Sequence, residues 1–236
     1  TPHCVIINKK GRLWMEILNL GSHRIGVRFP EKGLRKGKNP AILLNDGELI
    51  EQLNLRTERA VLVGVYPNNR LSEYTPWPEP AIRPGTPDFG GQLGQYHREL
   101  NNEILTALID EYALDTEKLA YGGYSLGGLA ATMSLWETDA FAAVFSLCGS
   151  FWYPGVADFI EEHVPKNYSA QVYLQNGIRE GEGHNNRLCD AYSYAQRVHT
   201  ALQVTCGAKT VLDDYGHHDR QSERLNAALR WVERVL

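Results

Sequence analysis

The stretch Leu119-Ala120-Tyr121-Gly122-Gly123-Tyr124-Ser125-Leu126-Gly127-Gly128-Leu129-Ala130 joins a short apolar run to a helix-forming run through a serine with glycines two residues to either side. A G-x-S-x-G pentapeptide in that setting predicts a strand that turns sharply into a helix, with the serine at the corner. Side chains at the flanking positions would crowd so tight a corner, and Gly123 and Gly127 have none. The corner would leave Ser125 Oγ exposed at a helix N-terminus. There the free N–H groups of the first turn and the positive end of the helix dipole favour negative charge, as the oxyanion of an acyl-transfer intermediate requires.

A strand–turn–helix corner needs a sheet with helices packed against it, and the rest of the chain supplies one. Leu13 to Leu18 and Arg24 to Phe29 read as a hairpin, turning near Asn19, Gly21 and Ser22 and ended by Pro30. Ala41 to Leu44 and Ala60 to Tyr66 are continuous apolar runs typical of strands buried on both faces, with a short helical segment from Leu49 to Leu55 between them. From Gln95 onward Tyr96, Leu100, Ile104, Leu108 and Tyr112 lie on one helical face. The elbow strand is expected over Lys118 to Gly122 and its helix over Leu126 to Glu137. Further strands are expected at Ala142 to Leu147, Gln171 to Gln175 and Lys209 to Leu212, and helices at Val156 to His163, Leu188 to Leu202 and Asp219 to Val235. Alternation of this kind implies an α/β fold whose mostly parallel central sheet is covered by helices on both faces. Ligands in such folds bind at the carboxyl ends of the strands. A length of 236 residues suits a single domain spanning 1–236.

Composition narrows the partners. With 24 basic and 28 acidic side chains and a formal net charge of −4, without long runs of either sign, the chain has no electrostatic footprint for nucleic acid. No apolar stretch approaches the length of a membrane span, and no secretory signal opens the chain, although a start at Thr1 rather than Met suggests an upstream segment removed. Cys4, Cys148, Cys189 and Cys206 are widely spaced with no C-x-x-C, which argues against a zinc site or disulfide framework. The reading is free buried thiols and a cytoplasmic setting.

Residues 67–94 carry six prolines and four glycines, which predicts a long loop without regular structure. Loops of that length in a compact domain are usually functional. This one offers Tyr74, Trp77 and Phe89 as apolar surface with Arg70, Glu73 and Arg83 among them, and the expected role is a substrate wall. Phe151, Trp152 and Tyr153 follow a strand end and are candidates for the same aromatic pocket.

A serine nucleophile needs a base, and the base needs an orienting carboxylate; in this fold class they follow the serine in the order acid, then histidine. The loop after the last strand contains His217 and His218 side by side, and both qualify. The loop after Gln175 contains Glu180 and Glu182, and both qualify as the acid. The expected oxyanion donors are the N–H of Leu126 and that of Gly47 or Glu48, in the turn after an early strand.

These segments resemble the esterase branch of the α/β-hydrolases, which includes enterochelin and other siderophore esterases, esterase D-like hydrolases, feruloyl esterases and mycolyltransferases. The resemblance runs through Leu44-Asn45-Asp46-Gly47, Arg70 with Glu73-Tyr74-Thr75-Pro76-Trp77, the Gly123 to Gly128 elbow, Ser150-Phe151-Trp152, Gly177-x-x-Glu180 and Gly216-His217-His218-Asp219. It implies an α/β-hydrolase fold and a triad of Ser125, His218 and Glu180, since in that family the acid is the third residue after a loop glycine and the histidine directly precedes an aspartate. It also implies hydrolysis of a small-molecule ester through an acyl-enzyme, with siderophore or aromatic-acid esters as substrates and Arg70, Tyr74, Trp77 and Trp152 around them. No metal or cofactor is required. Acyl transfer to a sugar or other alcohol, or ligand binding on a catalytically silent scaffold, are the alternatives.

Overall fold

The computed structural model describes residues 4–7 and 13–236. The chain forms β1 (Cys4–Ile7), β2 (Leu13–Leu20), β3 (His23–Arg28), β4 (Asn39–Asn45), α1 (Glu48–Gln52), β5 (Val61–Tyr66) and α2 (Arg70–Glu73). A small hairpin follows, β6 (Pro78–Glu79) with β7 (Phe89–Gly90), then α3 (Leu93–Glu99), a π-helical turn (Leu100–Ile104) and α4 (Leu105–Tyr112). The second half comprises β8 (Leu114–Tyr124), α5 (Leu126–Glu137), β9 (Ala143–Leu147), α6 (Val156–Glu162), β10 (Gln171–Gly177), a 3₁₀ turn (Arg187–Asp190), α7 (Ala191–Cys206), β11 (Lys209–Asp213) and α8 (Gln221–Val235).

Among the described residues nine strands form one sheet in the order β1-β2-β3-β5-β4-β8-β9-β10-β11. The run from β5 to β11 is parallel, and β1, β2 and β3 are joined to it antiparallel. The expected fold class is observed. Pleating sends successive side chains to opposite faces. Ala41 and Leu43 therefore join a core under α3 to α7, and Ile42 and Leu44 join a second core under α1 and α8. This is why β4 reads as an unbroken apolar run.

Tyr96, Leu100, Ile104, Leu108 and Tyr112 are all buried. Spaced strictly by fours, they would rotate about 40° around an ideal α-helix at each step. The π-turn at Leu100–Ile104 widens the winding where that drift accumulates, keeping the five on the sheet.

Two sequence expectations are corrected. Residues 67–94 are not wholly irregular: Asn69 caps α2 by accepting the Ser72 N–H at 3.2 Å, and the β6–β7 hairpin folds back over it. The cysteines are not uniformly buried either, since Cys148 is buried, Cys206 half-buried and Cys189 exposed, all three free; the side chain of Cys4 lies outside the described set. No helix among the described residues is long and apolar enough to cross a membrane.

Candidate active site

β8 ends in the predicted corner. Ser125 adopts φ 59° and ψ −123°, a conformation L-residues rarely take, as the cap of α5. A Cβ on Gly123 would lie 2.5 Å from the Gly127 carbonyl, so the two glycines let strand and helix meet where the chain reverses. The corner is pinned from outside: Ser125 N–H donates to the Leu147 carbonyl at 2.9 Å, and its own carbonyl accepts the Ser150 N–H at 3.1 Å.

Two later loops reach Ser125. His217 Nε2 lies 3.0 Å from Ser125 Oγ, and His217 Nδ1 lies 3.0 Å from Glu180 Oε2. Glu180 is buried at the end of β10, where Oε1 accepts the Gly177 N–H at 2.8 Å and Asn176 Nδ2 at 3.3 Å. Burial would raise its pKa, but the hydrogen bond and charge of His217, the Gly177 N–H and Cys148 outweigh that and hold the carboxyl below its ordinary range. Asn176 Oδ1 in turn faces His199 Nε2 at 3.0 Å, and burial pushes His199 down to about 4, keeping it neutral.

The geometry therefore selects His217, not His218, as the residue facing the nucleophile. Asp219 Oδ2 accepts the Gly216 N–H at 2.8 Å and closes a tight turn over 216–219. In that turn His217 points at Ser125, while His218 stands edge-on to it with ring centroids 4.9 Å apart. Glu182 is exposed and paired with Arg179 at 2.8 Å, so of the two acids only Glu180 reaches the histidine.

The turn after β4 faces Ser125 from the other side. Asp46 sits at φ 56°, its carboxylate gripped by Arg70 at 2.7 and 3.0 Å and its N–H donating to the Tyr74 hydroxyl at 3.0 Å. The Gly47 N–H, one of the expected oxyanion donors, is spent on the Val65 carbonyl at 3.0 Å. Glu48 and Leu126 open α1 and α5, so their N–H groups have no acceptor within those helices.

The predicted pocket residues divide. Trp152 lines a cavity of about 520 Å³ that reaches Ser125, together with Ile82, Arg83, Leu188 and His184. Arg70 borders a second, smaller cavity of about 280 Å³ that also reaches Ser125 and His217, with Asp46, Glu48 and Gln221. Tyr74 lines neither: it is fully buried and supports Asp46. Trp77 donates to the Pro154 carbonyl at 2.9 Å and packs on Tyr153 and Phe159, serving the core of the loop layer. Sequence reasoning missed Ser150 as a neighbour of the nucleophile, its Oγ 3.3 Å from Ser125 Oγ, although it stood in a quoted motif.

Among the described residues Cys148, Glu180 and His217 form a group whose ligand-type atoms lie within 4.8 Å of one another. Those atoms are already committed: Glu180 and His217 bond each other, and Cys148 Sγ accepts from Arg224. The donor set is that of a hydrogen-bonded relay from carboxylate to imidazole to hydroxyl, which can deprotonate a serine and hold the resulting imidazolium.

Comparison with known proteins gives the family and the fold. The uncharacterized protein YbbA of Bacillus subtilis (strain 168) is 28% identical over 204 residues, covering 78% of this chain and 82% of YbbA. Among solved structures, the enterobactin esterase FES from Shigella flexneri, crystallised in the presence of enterobactin, superposes with a TM-score of 0.71 at 16% identity over all of this chain, which spans 58% of the FES chain. The BES protein from Bacillus cereus superposes with a TM-score of 0.69 at 21% identity, covering 98% of this chain and 95% of that one. The family model described as "Putative esterase" matches residues 21–229, and the chain belongs to that family of carboxylic ester hydrolases on the α/β-hydrolase fold.

Proposed function

We propose that this protein is a serine carboxylic-ester hydrolase whose triad is Ser125, His217 and Glu180. The observation that carries the reading is the continuous chain of two 3.0 Å hydrogen bonds from Ser125 Oγ through the imidazole to Glu180. As Ser125 Oγ attacks the ester carbonyl, its proton passes to His217 Nε2. Glu180 holds the Nδ1–H tautomer and stabilises the imidazolium. The N–H groups of Leu126 and Glu48 receive the developing oxyanion. His217 then gives its proton to the departing alcohol, leaving an acyl-enzyme. Water deprotonated by the same imidazole releases the acid and restores Ser125.

The larger cavity supports a small-molecule ester with an aromatic or other planar acyl portion. Trp152, Ile82 and Leu188 give it an apolar wall, and Arg83, His184 and the Arg179–Glu182 pair give it a polar rim. Siderophore esters and aromatic-acid esters are the classes with both features. A fluorophosphonate probe tests the mechanism. An adduct on Ser125, lost in Ser125→Ala, is expected, and a probe that labels elsewhere or not at all sinks the proposal. A panel of siderophore lactones, aromatic-acid esters and aliphatic esters of similar size then ranks the substrates by kcat/KM.

The Arg70–Asp46 pair is assigned to the oxyanion turn rather than to substrate. Arg70→Met would leave the Asp46 carboxylate without its partner in a strained backbone and let the Glu48 N–H drift. The expected result is a loss of roughly 10²-fold in kcat with a smaller change in KM, in line with the worth of one oxyanion donor. A KM effect with kcat retained would instead return Arg70 to substrate binding.

A further inference from the structure

Arg224 lies behind the triad on α8, 2% exposed, where a guanidinium is expensive to keep. Its fork is matched to Asp213 at the end of β11: Nε donates to Oδ2 at 2.8 Å and Nη2 to Oδ1. Asp213 also accepts Gln175 Nε2 at 2.8 Å and the Tyr215 N–H at 3.2 Å. A buried pair of this kind neutralises charge, yet apolar residues of similar volume often serve stability as well or better. What such residues lack is the remaining nitrogen. Nη1 shares its protons among the Gly216 carbonyl at 3.0 Å, the Tyr124 hydroxyl at 3.2 Å and Cys148 Sγ. The Tyr124 hydroxyl donates onward to the His217 carbonyl at 2.5 Å, and its ring stands edge-on to the His217 imidazole.

The Gly216 and His217 carbonyls belong to the two peptide planes on either side of the His217 Cα. Holding both planes fixes φ and ψ of His217 and hence the direction of its Cα–Cβ bond. The Glu180 hydrogen bond then has only the ring rotation left to set. Tyr124 also directly precedes Ser125, so the same network ties the histidine turn to the elbow strand.

We propose that Arg224, with Tyr124 as its relay, is a positioning residue for His217, holding both flanking carbonyls so that Nε2 meets Ser125 Oγ. The proposal rests on the Ser125–His217–Glu180 reading. A misplacement of about 1 Å at a reacting group costs up to 10²-fold in rate. Tyr124→Phe removes one oxygen and leaves the ring packing; Arg224→Lys keeps a cation opposite Asp213 but loses the fork.

Each variant is measured as kcat per site titrated with fluorophosphonate, so unfolded protein does not count. Tyr124→Phe is expected to lose about 10-fold in kcat and Arg224→Lys about 10²-fold, with KM within about threefold of the parent. The double variant should lose little more than Arg224→Lys, since both changes cut one chain of contacts. Kcat per site within twofold of the parent in Tyr124→Phe, a KM change larger than the kcat loss, or losses that multiply in the double variant would each overturn the proposal. Should Arg224→Lys fail to fold, Tyr124→Phe decides alone. Activity surviving in Ser125→Ala removes the underlying triad, whereas an inactive Ser125→Ala beside an unaffected Tyr124→Phe removes only the positioning role.

Discussion

His217→Ala is expected to lower kcat by roughly 10⁴-fold or more, while His218→Ala stays within about tenfold of the parent enzyme. The difference is geometric. Only His217 bridges Ser125 Oγ and Glu180, at 3.0 Å on each side. His218 borders both cavities, so its loss bears on substrate contacts and on KM more than on proton transfer. Burial and the neighbouring His217 push the His218 imidazole below its ordinary value of 6.5, so at neutral pH it is uncharged and presents no cation to the site. Steady-state kinetics on one ester at saturating and limiting concentration makes the comparison. A kcat loss in His218→Ala equal to that of His217→Ala would mean the turn rearranges on substrate binding and that the resting geometry misassigns the base.

The pair also marks where sequence stops being informative. The elbow was legible because every determinant is local: strand, Gly123, Ser125, Gly127 and helix follow one another within a dozen residues, and α5 runs over Leu126–Glu137 as expected. His217 and His218 are adjacent and identical in type. What separates them is the closure of the 216–219 turn by Asp219 and the grip of Arg224 and Tyr124 on its carbonyls, contacts that span up to 93 positions. The family pattern of a histidine directly before an aspartate points to His218, whereas the turn brings His217, one position earlier, to Ser125 and Glu180 and makes it the base of the proposed triad.

The oxyanion turn teaches a similar lesson. Gly47, Glu48 and Leu126 were all reasonable donors from sequence, but whether an N–H is free depends on what packs beside it, and β5 places the Val65 carbonyl against Gly47. The aromatic residues of 67–94 failed for the opposite reason. A bulky ring in a loop can face a pocket or the core, and burial of Tyr74 against Asp46 and Tyr96 wins over exposure to a cavity. Trp152, two residues past a Ser150 that touches the nucleophile, was legible because a strand end in a parallel sheet points its followers at the ligand crevice.

Glu180→Gln carries the second large effect, and its cause is tautomeric. In the proposed triad the carboxylate, 3.0 Å from His217 Nδ1, accepts the Nδ1–H, which leaves Nε2 free to take the serine proton. A glutamine at this position can still satisfy the Gly177 N–H with its carbonyl, and then presents its NH₂ to Nδ1. The imidazole answers with the other tautomer, placing a proton on Nε2 where a lone pair is needed. The expected cost is about 10³- to 10⁴-fold in kcat with the fold intact, whereas Glu182→Gln, whose side chain pairs with Arg179 at the surface, leaves kcat unchanged. Stability should respond through its pH dependence. Because the folded protein holds the Glu180 carboxyl below its ordinary 4.5, the ionised form contributes stability that is fully present above that pH and is lost as pH falls through the lowered folded value. Glu180→Gln lacks that titration, so its melting temperature should fall less steeply than the parent's between neutral pH and the acid range. Parallel pH–Tm curves for the two proteins would show that Glu180 is not held as the ionised partner of His217, and a kcat retained in Glu180→Gln would show that the imidazole keeps its tautomer without it.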